Sequence, residues 1–200
     1  FGIWTLLLGI ITARRLRLDF AMLTGFSLGG ALLTKSPALF FSLLLPSIAL
    51  FAPFWQKTNR KLLGQKGFLK FFGLLLVTYL IGYGIYNILR LGPNFHLIVE
   101  RNQDYVLPIS HLWTNPRDPF MPYTDRAVEW LLALAPGTLL ALAFAGLTVG
   151  FLYNFRLMLV LCTWAIVPIL VQAEFAKVFT ARYILSSIPI LIVIASGVAL

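Results

Sequence analysis

The chain is poor in the residues from which most active centres are built. Its 200 residues include one cysteine, Cys162, so no intrachain disulfide can form. The two histidines, His96 and His111, lie far apart and have no clustered partner, which argues against a metal site. No Walker loop, dinucleotide fingerprint, HExxH or cysteine cluster occurs, so neither a cofactor nor a metal is expected. Charged residues make up 12% of the chain, about half the usual share. The opening Phe1-Gly2-Ile3-Trp4 has no basic stretch and no initiator Met, which excludes a signal peptide. Both ends read as cut inside membrane helices, so the expectation is a piece of a larger protein.

What the chain has in abundance is apolar residues. They form 60% of the sequence, with a mean hydropathy of +0.88, far outside the range of soluble domains. Seven apolar segments follow one another, at 1–12, 20–34, 38–55, 71–90, 127–153, 157–172 and 184–200. The fold class expected is all-α integral membrane: a multi-pass bundle forming a single transmembrane domain over 1–200. Several segments fall short of the ~20 residues a spanning helix needs. The pair at 20–34 and 38–55 is short on its own account, which implies tilt, local thinning or a hairpin that does not fully cross.

Basic residues orient the segments. Arg14, Arg15 and Arg17 fill the connection at 13–19, while Lys57, Arg60, Lys61, Lys66 and Lys70 fill that at 56–70. Arg156 stands alone in the fifth connection. With these three cytoplasmic, that face holds nine cations against one acid, Asp19, and the other face seven against six. The chain then belongs in the plasma (inner) membrane, with 13–19 and 56–70 cytoplasmic and 91–126 an extracytoplasmic loop. Net basicity reports topology here. A nucleic-acid partner would need cations gathered on a surface with stacking aromatics, and none is expected.

The loop at 91–126 is too long for a plain connection and too rich in aliphatics and aromatics to be disordered. Pro93, Pro108, Pro116, Pro119 and Pro122 cut it into short pieces. Residues 95–113 read as one or two amphipathic helices at the interface, and the whole as a structured cap. Glu100 and Asp104 share a face if that stretch is helical, most simply a solvated one. Arg126 and Glu129 are spaced for a local pair of little weight. Trp55, Trp113 and Trp130 read as interfacial anchors. Gly25 and Gly29 make a GxxxG, which in membrane helices mostly signals close packing.

Lys35 stands apart. It sits in Leu32-Leu33-Thr34-Lys35-Ser36-Pro37 between two apolar runs with no other charge beside it. A lysine so placed is either a snorkelling anchor or a cation held to meet an anion. The helix centres carry no ionisable group, which argues against an ion-coupled carrier and for chemistry at the membrane face.

Two stretches carry a resemblance. Gly25-Phe26-Ser27-Leu28-Gly29-Gly30-Ala31-Leu32-Leu33-Thr34-Lys35-Ser36-Pro37-Ala38 resembles a G-x-x-x-G-x-A-x-L-T-K-x-P-A element of polytopic glycosyltransferases of the GT-C type. Ala181-Arg182-Tyr183-Ile184-Leu185-Ser186-Ser187-Ile188-Pro189 resembles their R-Y-x-L-x-x-x-P element, where a helix begins after an outer-face Arg-Tyr pair. The nearest group is the protein O-mannosyltransferases and lipid A aminoarabinose transferases, glycosyltransferase family 39-like. Arg101 to Pro108 and Glu129-Trp130 are similar to bacterial members, less distinctively.

The resemblance implies a transferase that takes a sugar from a polyprenyl-phosphate donor to a lipid, glycan or protein acceptor on the extracytoplasmic side. It implies Lys35, Arg182, Tyr183 and Lys177 as lipid-phosphate ligands, with Lys177 one turn from Arg182 if that segment is helical. The family's catalytic carboxylate belongs to a loop expected upstream of Phe1, so no residue here is assigned as the base, and this piece alone is expected to be inactive. Two other classes stay open: a lipid-linked-saccharide flippase or other transporter, and a non-catalytic membrane assembly subunit.

Overall fold

A computed structural model of the protein describes residues 1–34, 38–53, 60–93 and 95–199. Among these every regular element is helical, apart from one isolated antiparallel bridge between Val106 and Ala176. The chain divides into two compact units, Phe1–Gly92 and Pro93–Leu200. The first holds ten cations against one acid, Asp19, and so the whole net charge of +9; the second holds six of each sign.

In the first unit, α1 (Gly2–Arg15) and α2 (Leu18–Thr34) form a tight hairpin. Leu16 ends α1 in the left-handed conformation at φ 50°, with its N–H donating to the Thr12 carbonyl. Arg17 clamps Asp19 with both Nε (3.1 Å) and Nη2 (2.6 Å) and holds that carboxyl below its usual range. α3 (Ala38–Leu44) runs on as a 3-10 helix, Leu45–Phe51, where Pro46 allows the tighter winding to start. α4 (Arg60–Tyr86) continues as a 3-10 turn, Asn87–Leu91.

Small residues decide how these helices meet. A Cβ added at Gly25 would lie 2.8 Å from Ile81 Cβ and 2.9 Å from the Thr78 carbonyl, and one at Gly29 would lie 2.8 Å from Ile85. Gly82 receives Leu28 in return. The GxxxG is therefore the seam of α2 on α4, as the close-packing reading has it. Hydroxyls bridge the same interfaces: Thr12 with Thr24, Thr5 with Ser27, Thr78 to the Ala21 carbonyl, and Ser42 with Tyr83. Buried hydroxyls so paired avoid the penalty of leaving water.

The second unit opens with α5 (Phe95–Tyr105), the short α6 (His111–Thr114) and α7 (Phe120–Leu134), so the long loop is largely helical. Glu100 and Asp104 are exposed on α5. Arg126 and Glu129 are exposed on α7 without pairing; the ion pair among the described residues is Arg17–Asp19. The apolar segment read as 127–153 is interrupted. α7 stops at Ala135, and Pro136 lets the next helix begin at Gly137.

That next element, α8 (Gly137–Phe175), is two helical stretches joined by a kink at Asn154, whose φ/ψ of −144° and 61° is not helical. Two contacts of α9 (Ile188–Ser196) fix the size of the bend. Ser187 Oγ donates to the Ala165 carbonyl at 2.6 Å, and Gly146 lies against the Ile194 carbonyl. From 187 to 194 a helix advances about 10 Å, whereas 146 to 165 would span about 28 Å in a straight helix. α8 must fold back at Asn154, which separates 137–153 from 155–175 as the sequence pattern separates 127–153 from 157–172.

Among the described residues two helices are long and apolar enough to cross a membrane, Lys66–Leu91 and Gly137–Phe175. Their most apolar stretches are 28% and 33% buried, so most of that surface faces outward. A soluble core helix hides such surface, whereas membrane association leaves it in lipid.

Candidate functional site

Lys35 lies outside the described residues. The other three expected ligands, Lys177, Arg182 and Tyr183, belong to one stretch of the second unit, between the end of α8 and the start of α9. This stretch is not helical throughout. Ala176 leaves the helix with an extended ψ of 128°, Thr180 is extended, and a single 3-10 turn covers Ala181–Tyr183. The expectation of a helical turn linking Lys177 to Arg182 is therefore corrected: α8 ends before Lys177 because its chain turns aside to pair with another segment.

That pairing is explicit. Leu107 N–H donates to the Phe175 carbonyl (2.7 Å) and Lys177 N–H to the Tyr105 carbonyl (2.9 Å), which closes the Val106–Ala176 bridge. From the other side the Tyr123 hydroxyl donates to the Lys177 carbonyl at 2.8 Å. The backbone of Lys177 is thus held by both the end of α5 and α7, while its side chain is exposed.

Below this lies an aromatic stack. The Phe179 ring, 4% exposed, sits between Tyr123 (5.3 Å, 16°) and Trp130 (5.6 Å, 12°), with Tyr183 tilted against it at 5.5 Å. Ala127, Ala173, Ala176 and Ile184 complete the core. Trp130, read from sequence as an interfacial anchor, is a half-buried member of this stack. The exposed Arg182 guanidinium lies 5.6 Å over the Tyr183 ring, a cation–π placement that leaves its donors outward. Ile184 and Ser187, both buried, anchor the turn, and the next helix begins at Ile188 with Pro189 in its first turn. The Arg-Tyr pair thus does precede a helix start.

One residue of this wall escaped sequence reasoning. Glu174, in the last turn of α8, is 8% exposed, and its Oε1 is buried with no hydrogen-bond partner. That oxygen is shut away from water without a donor, at the end of the helix where the dipole is negative. Two neighbours share the condition. Gln172 gives its Nε2 to the Pro168 carbonyl one turn earlier, but its Oε1 is unmatched; Thr180 Oγ1 is unmatched as well. Buried polar atoms normally find partners, so three unmet oxygens within nine residues mark a place that takes up hydrogen-bond donors. In sequence Glu174 is one of the six acids of the outer face, set apart from the others by its adjacency to an apolar run.

Chemically, this wall offers one fixed cation over a ring, a second exposed cation, a phenol, a buried carboxylate and two further oxygens. Among the described residues no three His, Cys, Asp or Glu side chains gather to hold a metal ion. No family model, curated protein or solved structure matches this chain.

Proposed function

We propose that the protein is a multi-pass glycosyltransferase of the plasma membrane that moves a sugar from a polyprenyl-phosphate donor to a lipid, glycan or protein acceptor on the extracytoplasmic face. The observation that carries the reading is that one stretch, from the end of α8 to the start of α9, holds both the exposed Arg182 stacked over Tyr183 and the buried, unmatched Oε1 of Glu174. In the reaction the bond from the sugar C1 to the phosphate oxygen breaks, and its electron pair leaves on that oxygen. The acceptor oxygen bonds to C1 and gives up its proton. Negative charge grows on the lipid phosphate, and a preorganised cation stabilises it more in the transition state than in the ground state. Arg182, with its planar fork, meets two phosphate oxygens, and Lys177 adds a point charge; the resemblance implies the same role for Lys35, which lies outside the described residues. Glu174, Gln172 and Thr180 receive sugar hydroxyls.

The seven apolar segments serve this reading as spans, with 13–19 and 56–70 cytoplasmic and 91–126 outside. A flippase is the second reading, favoured by an acid buried in a long apolar helix. Glu174 stands at the helix end rather than its middle, where a carrier keeps such a group.

Transfer of labelled sugar from a polyprenyl-phosphate donor by the complete protein tests the proposal. Arg182→Ala or Lys35→Ala should lower turnover on the order of a hundredfold, as loss of a charge-stabilising group does. Membrane insertion should stay normal. Near-wild-type transfer by both variants removes the assignment, and lipid movement across the bilayer without transfer replaces it with the flippase.

A further inference from the structure

The first unit contains a cleft of about 450 Å³ at the end where α1 meets α4. Arg14, Arg15, Lys66 and Lys70 line it, over a floor of Leu16, Pro53 and Gly67. We infer that this cleft binds the phosphate of an anionic phospholipid headgroup, a site separate from the proposed sugar-transfer wall and independent of that function.

Three observations lead there. First, the charge is uncompensated. The sole acid of residues 1–92 is Asp19, and it is taken by Arg17 at 2.6 Å. No carboxylate lines the cleft. Second, the two arginines rest on ring faces. The Arg14 guanidinium lies 5.3 Å over Phe51 and that of Arg15 5.8 Å over Phe20, contacts that orient the groups without neutralising them. Third, the helix dipole accounts for only half the cluster. Arg14 and Arg15 end α1, where cations are favoured, but Lys66 and Lys70 lie beyond the first turn of α4, where the dipole gives them no such support. Bringing the two pairs to one cleft is unfavourable until an anion enters.

The surroundings choose a lipid over a soluble anion. Phe68, Leu69 and Phe72, interleaved with the two lysines, are 52%, 75% and 44% exposed. Apolar side chains beside a cationic cleft suit acyl chains next to a phosphate, and basic pockets between membrane helices recognise anionic headgroups in this way. The volume matches a small-molecule site. The cleft also brings Arg14, Arg15 and Leu16 together with Lys66, Gly67 and Lys70, from two of the basic stretches of the unit.

The complete protein, reconstituted in phosphatidylcholine bilayers containing spin-labelled phosphatidylglycerol or spin-labelled phosphatidylcholine, tests the inference. The fraction of immobilised label reports association for each lipid. Wild type should prefer phosphatidylglycerol by about tenfold at low salt, the scale that a few interfacial cations produce. Lys66→Gln with Lys70→Gln, both at exposed positions, should remove most of the preference, and adding Arg14→Gln with Arg15→Gln should remove the rest. Lys66→Arg with Lys70→Arg should retain it, as should Arg117→Gln with Arg126→Gln outside the cleft. An undiminished preference in the Lys66/Lys70 variant overturns the proposal, even if the fourfold variant fails to fold. Loss of preference on adding inorganic phosphate, beyond the effect of chloride at equal ionic strength, overturns the lipid assignment and gives the cleft to the free anion.

Discussion

The Tyr123 hydroxyl donates to the Lys177 carbonyl at 2.8 Å across 54 positions of sequence. With Phe179 held between the Tyr123 and Trp130 rings, this bond ties α7 to the stretch that carries Arg182. The position of Arg182 therefore depends on α7, which contributes no cation to the wall.

The two parts of this tie should separate by mutation. Tyr123→Phe keeps the stack and loses the hydrogen bond, an expected loss of about 0.5–1.5 kcal/mol. Phe179→Ala empties the centre of the stack and should cost about 3–5 kcal/mol. Denaturant unfolding in mild detergent measures both. Equal losses would mean that the ring contributes little beyond its neighbours.

Glycine positions in the first unit give a matched pair. Gly25→Val drives a side chain into Ile81 and the Thr78 carbonyl, and overpacking of this kind costs about 1–3 kcal/mol. Gly73 has nothing within 4 Å of an added Cβ, so Gly73→Ala should stabilise α4 by about 0.5–1 kcal/mol. A neutral Gly25→Val would show that α2 and α4 are not packed through this seam.

Glu174 should trade stability for function. Glu174→Leu relieves a buried, unmatched acid and should raise the unfolding free energy by about 1–3 kcal/mol while lowering sugar transfer. A structural role predicts the opposite sign in the unfolding measurement. Destabilisation with unchanged transfer would sink the site reading.

Topology is open to labelling. In a Cys162→Ala background, Thr114→Cys should react with an impermeant thiol reagent added to intact cells, and Gln65→Cys should react only after lysis. The reverse pattern inverts the orientation drawn from the basic residues.

Much of this architecture was legible in the linear sequence. Helical class, the helices within 95–113 and the packing role of Gly25 and Gly29 follow from local composition and spacing. Helix formation depends on residues within one or two turns, and a GxxxG presents a flat face whatever meets it. The start of a helix after Arg182-Tyr183 was readable for the same reason, since Pro189 favours a first turn.

Other features were decided by chain segments far apart. A break near Asn154 is readable in the sequence, between the segments 127–153 and 157–172, but the sharpness of the bend is set by α9 touching both Ala165 and Gly146. The end of α8 before Lys177 follows from the pairing of Phe175 and Lys177 with Tyr105 and Leu107. Glu174 reads as one acid among six until the fold buries it, and Arg14 reads as a topology signal until Lys66 is brought beside it. Charge and polarity are written in the sequence, but their energetic meaning depends on whether water, a partner or neither lies next to the group. That is settled by what the rest of the chain packs around it.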